Sequence, residues 1–204
     1  MTIWRFSLFA LIGLAGCAEG LGGPGQDAPP LRQAELARGA VRVAAPDGYC
    51  IDPRSLRARF AAIARCDTLG DTANVHDAAL ALVTISLAPL AGAALSGDAT
   101  SLAAESELLD AHQTEGLILA RLRGAPLQPG FSEIYWRGMG EINDFAVGLA
   151  IYAPENSSLT RQPGAEFLDE IMQGLQRDNL QNDAGAETSD TQTSLSQRLM
   201  SLFS

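Results

Sequence analysis

The sequence predicts an antiparallel α+β domain. Three observations carry this: strand-like segments follow one another through connections of hairpin length, a helix-like stretch stands near the middle, and a strongly amphipathic helix pattern closes the series.

Taken in order, the folded region is expected to begin at Val41. Val41, Arg42 and Val43 alternate apolar and polar, Pro46-Asp47-Gly48 supplies a turn, and Tyr49-Cys50-Ile51-Asp52-Pro53 follows. Arg59 to Cys66 places Phe60, Ala62 and Ala64 on one face and Ala61, Ile63 and Arg65 on the other. That alternation predicts a strand, although alanine is a poor strand former. Leu80 to Leu87 is apolar at nearly every position and is closed by Pro89, which predicts a central strand covered on both faces. Ser101 to Asp110 reads as helix, with Leu102, Glu105, Leu108 and Leu109 at mixed spacing.

Three strands are then expected at Leu117 to Arg123, Ser132 to Glu141 and Phe145 to Ala153, the last two joined by a hairpin turn at Ile142-Asn143-Asp144. Gly138 and Gly140 share a face, where packing is lost unless a helix, a bulge or a ligand comes close. Pro163-Gly164 opens the best helix, with Phe167, Leu168, Ile171, Met172 and Leu175 in one apolar stripe. Glu166, Asp169 and Glu170 near its start and Arg177 near its end suit the helix dipole. This outline, from Val41 to Asn179, resembles the small α+β sandwich of photosystem PsbP proteins, the nuclear-import factor Mog1 and bacterial DcrB-type lipoproteins. The resemblance rests on strand order, the aromatic strand at Tyr135-Trp136 and the closing helix, and it implies the fold alone.

The start of the chain carries an address. Arg5 precedes an apolar stretch from Phe6 to Leu14, and Leu14-Ala15-Gly16-Cys17 follows. This is the anatomy of a secretory signal, and it falls short of the ~20 apolar residues a spanning helix needs. Leu-Ala-Gly-Cys also resembles the lipobox of bacterial lipoproteins. That resemblance implies cleavage after Gly16 and acylation of Cys17 by palmitate-like chains, which would hold the protein on a membrane. Ala18 after the cysteine implies the periplasmic face of the outer membrane. Residues 17–40 are rich in glycine and proline and read as a tether spanning about 25 Å. Within it, Leu31 to Arg38 could form two turns of helix.

Net charge is −10, and all basic residues are arginine. Removal of residues 1–16 takes away Arg5 and no acid, making the mature chain more acidic still. Such a chain is repelled by phosphate backbones, which excludes nucleic acid as a natural partner. Past Cys17, the remaining cysteines are Cys50 and Cys66. In an oxidising compartment the pair is most simply a disulfide worth about 3 kcal/mol, with two buried thiols as the alternative.

Asp67, Asp71, Asn74, His76 and Asp77 form the densest group of potential metal ligands. Their spacing does not match a calcium loop, and a polar connection between strands is the competing reading. His76 and His112 are the two histidines, and neither stands in a nucleophile, zinc-protease or phosphate-loop motif. No catalytic residue and no cofactor is therefore assigned. Tyr135 and Arg137 flank Trp136 and point to the opposite face; Trp136 is expected in the core, and the other two as a partner surface. Residues 180–194 are polar and read as a disordered linker. In residues 195–204 an apolar cluster returns, including Leu199 and Phe203, as a short amphipathic tail that would dock in cis or in trans. The expectation is a non-catalytic, periplasm-facing lipoprotein that binds an envelope protein, with small-molecule or metal binding as the alternative.

Overall fold

The protein is described by a computed structural model covering residues 28–71 and 77–180. Its centre is a seven-stranded sheet made of β3 (Tyr49–Ile51), β4 (Phe60–Arg65), β5 (Leu82–Pro89), β6 (Glu107–Thr114), β7 (Leu117–Arg123), β8 (Ile134–Ile142) and β9 (Phe145–Tyr152). The spatial order is β3-β4-β5-β9-β8-β7-β6, and every neighbouring pair is antiparallel. A separate ribbon pairs β1 (Gln33–Leu36) with β2 (Val41–Ala44). Helix α1 (Ala99–Ala103) precedes β6, and helix α2 spans residues 162–180. The fold class is antiparallel α+β, as the sequence predicts.

One face of the sheet makes the main core. Ile63, Val83, Ile85, Leu119, Trp136, Leu149 and Ile151 meet Leu168, Ile171, Met172 and Leu175 of α2 in one buried cluster. Burial of each such side chain contributes about 1.5–3 kcal/mol. The Trp136 indole Nε1–H donates to Arg161 O at 2.9 Å, fixing the segment that leads into α2. Gly140 explains how closely the helix sits: a Cβ there would lie 2.5 Å from Met172 Cε and 2.6 Å from Gly116 O. The helix is thus what comes close to the glycine face, and the space beside Gly138 and Gly140 that a ligand would need is filled by Leu117, Leu119 and Met172 side chains.

Four expectations are corrected. Leu31 to Arg38 is not helical and the tether is shorter than 17–40: β1 lies within that range, and Leu31 forms a bridge with Ile51. The stretch from Ser101 to Asp110 is helical only to Ala103. Ala104 turns out of the helix with φ 50°, and β6 begins at Glu107. The register of β6 against β7 skips Leu109. This β-bulge breaks the two-residue alternation, which is why the strand reads as a mixed pattern in sequence. Finally, β5 lies inside the sheet but, among the described residues, is covered on one face only: Val83, Ile85 and Leu87 are buried, while Ser86 and Ala88 are exposed. Its polar residues Thr84 and Ser86 fall at alternate positions and belong to the open face.

Candidate functional site

The two edges of the sheet are treated differently. On the β3 side, Leu31 N–H donates to Ile51 O at 3.0 Å and Ile51 N–H donates to Leu31 O at 2.7 Å, so the edge is capped by the chain itself. The Cys50–Cys66 disulfide ties β3 to the 3-10 turn after β4, with Cα atoms 4.9 Å apart. On the β6 side, no strand among the described residues pairs beyond β6. An exposed edge of this kind is a template for another strand.

The free edge borders a groove. His112, Gln113 and Thr114 of β6 face Gln162, Glu166 and Asp169 of α2 across a space of about 170 Å³. Thr114 Oγ1–H donates to Asp169 Oδ1 at 2.7 Å, and Gln173 Nε2–H donates to Asp169 Oδ2 at 2.9 Å, so one wall is held by its own network. The His112 ring packs with its centroid 5.5 Å from that of Trp136, and its Nε2 lies 3.1 Å from Asp110 Oδ2. Asp110 Oδ1 also accepts from the Ala111 N–H at 2.9 Å. Glu107 at the start of β6 pairs with Arg123 at 2.8 Å. Glu166 and Asp169 line the groove and Asp110 adjoins it through His112, which leaves it acidic because both arginines of β7 on that side are engaged elsewhere: Arg121 directs its Nε–H to Thr160 O at 2.9 Å, and Arg123 pairs with Glu107. Such a groove can take an extended chain along β6 and a cationic side chain beneath it.

The surface expected around Tyr135 and Arg137 is occupied by the protein itself. Tyr135 is 5% exposed, stacked on Tyr152 at 5.1 Å, with its hydroxyl 2.7 Å from Ser106 Oγ. Helix α1 supplies Ala103 to the same cluster. Arg137 lies over the Tyr135 ring at 5.4 Å and donates from Nη1 to Leu102 O at 3.1 Å. These residues hold α1 down. Leu199 and Phe203 lie outside the described residues, as does Cys17.

The acidic loop does not assemble a ligand set among the described residues. Asp67 is committed to Arg65, with Nε to Oδ1 at 2.7 Å and Nη2 to Oδ2 at 2.8 Å. This bidentate bond to Arg65 holds the Asp67 carboxyl below the usual carboxylate range. An oxygen of Asp71 lies within 4.8 Å of the Cys50 and Cys66 sulfurs, but a disulfide offers no thiolate to a metal. Asp77 is exposed, and Asn74 and His76 lie outside the described residues.

Comparison with solved structures returns two distant likenesses. A mutant of the protein Mog1 matches with a TM-score of 0.45 and 13% identity, covering 71% of this chain and 92% of that one. The Saccharomyces cerevisiae Ran-binding protein Mog1p matches with the same TM-score and coverage at 12% identity. No family model and no curated protein matches this chain.

Sequence reasoning missed the β6 groove because it ran a helix to Asp110, over the first half of β6, and left His112 in the connection ahead of the next strand. The signal that could have found it is the alternation of His112 and Thr114 with Ala111 and Gln113, which resumes after the bulge. Among the described residues, no helix is long and apolar enough to cross a membrane.

Proposed function

We propose that this chain is a non-catalytic lipoprotein of a bacterial envelope that docks a protein partner through the β6 edge. The lipobox-like Leu14-Ala15-Gly16-Cys17 supports the anchor, with Cys17 acylated and the domain held at the periplasmic face of the outer membrane. The observation that carries the docking reading is the asymmetry of the sheet: Leu31 caps one edge, while β6 is left open beside an acidic groove. The partner that fits is an extended segment bearing arginine or lysine. Its cation would draw the Asp110 carboxylate from the Ala111 N–H and release that donor for a new strand pair.

Cross-linking in the native envelope, followed by mass spectrometry, tests this. The full chain should capture a protein whose linked segment is basic. Glu166→Gln, which removes the charge of a groove residue whose side chain makes no hydrogen bond in the fold, should weaken that capture while lowering the unfolding temperature only by the small dipole contribution of one carboxylate. Equal capture by both forms, or capture by neither, would overturn the reading.

A further inference from the structure

The sheet face opposite α2 is covered only in part. Helix α1 shields β7 and β8 around Ala120, Leu122 and Tyr135. That cluster reaches β9 only at Tyr152, and away from it Ala62, Thr84, Ala146 and Gly148 are half-exposed and Ser86 and Ala88 are exposed. Small, uncharged residues make the middle of this face, with the partly exposed Phe60, Leu82 and Tyr152 around them, and an apolar sheet face of this kind is normally packed against another layer. Its small residues leave a flat floor that an element with large apolar side chains can approach closely.

We propose that residues 195–204 of this same chain cover that face. The proposal does not rest on the β6 reading and concerns a different surface. Three observations favour this occupant. The last described residue, Leu180, is 69% exposed and adjoins Glu141, Ile142 and Asn143, so the chain leaves the domain at the β8–β9 turn. Asp144 O of that turn accepts from Leu90 N–H at 2.8 Å, so this is also the end of the sheet where β5 finishes. The exit point therefore stands at the end of the sheet that the open face shares. Residues 181–194 can extend to at most about 50 Å, well beyond what the turn around the sheet end requires.

Pattern completes the argument. Leu195, Leu199, Leu202 and Phe203 recur at i, i+4, i+7 and i+8, one face of a helix, with Gln197, Arg198 and Ser201 outside it. Large side chains on the tail and small ones on the floor are complementary in shape. Attachment to the same chain gives the tail an effective concentration in the ~mM range, which a free partner would have to exceed.

A photo-reactive residue placed at Ser86, and in a second variant at Ala88, tests this in the full-length chain. Both positions are exposed, so the fold tolerates the change. Irradiation of the purified protein should join the β5 peptide to a peptide from residues 195–204. The yield should be unchanged on tenfold dilution and should fall at least fivefold when Leu199→Asp and Phe203→Asp are combined. Adducts to residues 18–27, adducts between two copies that fade on dilution, adducts to another protein, or no adduct at either position would each overturn the proposal.

Discussion

The side chain of Asn179 closes both backbone hydrogen bonds of Arg42. Its Oδ1 accepts from Arg42 N–H at 2.9 Å, and its Nδ2–H donates to Arg42 O at 3.0 Å and to Leu175 O at 2.7 Å. One amide thus acts as a strand partner for β2 and as a stitch to the last turns of α2, in a site only 3% exposed. Asn179→Ala should leave the Arg42 backbone groups unpaired and cost about 2–3 kcal/mol. Urea unfolding checks this, and a loss below about 0.5 kcal/mol would contradict it.

The disulfide is tested by mass. Without reduction, alkylation should leave Cys50 and Cys66 unmodified; after reduction both should react. Replacing both with serine should lower stability by about 3 kcal/mol, since the bridge closes a loop with a sequence separation of 16.

Much of the core was legible before the structure. Leu117 to Arg123 is a strand with the bounds its pattern sets, and the stripe from Phe167 to Leu175 packs as read, because period alone places those side chains. Trp136 is in the core at 1% exposure, as alternation predicts. The failures share a cause. At Leu109 a bulge scrambles the alternation, and in β1 the four residues Gln33–Leu36 are too short and too polar to declare a strand without their partner β2. Alternation after the bulge could have shown β6, but not the groove's second wall, because α2 lies some fifty positions away in sequence.

Gly140→Ala should destabilise the protein by about 1–3 kcal/mol. Met172 can swing aside, but the Gly116 carbonyl oxygen, 2.6 Å from the added carbon, belongs to the backbone of the β6–β7 turn and cannot. The combination Gly140→Ala with Met172→Ala should therefore fail to restore wild-type stability. Full restoration in thermal unfolding would show that the methionine was the whole obstacle.

The Arg65–Asp67 pair predicts an acid limb. The folded-state carboxyl of Asp67 is lowered, chiefly by its bond to Arg65. The stabilisation is therefore present in full above the unfolded carboxylate value of about 3.9 and is lost as pH falls through the lower folded value. Arg65→Gln should lower the unfolding temperature at pH 7, and the gap from wild type should narrow below about pH 4. A gap independent of pH from 7 to 3 would mean that Arg65 acts through packing alone.

The Asp110 carboxylate on the open strand has one more effect. Two molecules meeting β6 to β6 would bring a pair of these carboxylates, with Glu107 of each, onto one short seam, and β6 itself carries no arginine or lysine to neutralise them. Fibre growth and dimerisation by edge pairing are thereby discouraged. Were the chain anchored through Cys17 as proposed, copies brought close together on a membrane would be kept from edge pairing in the same way.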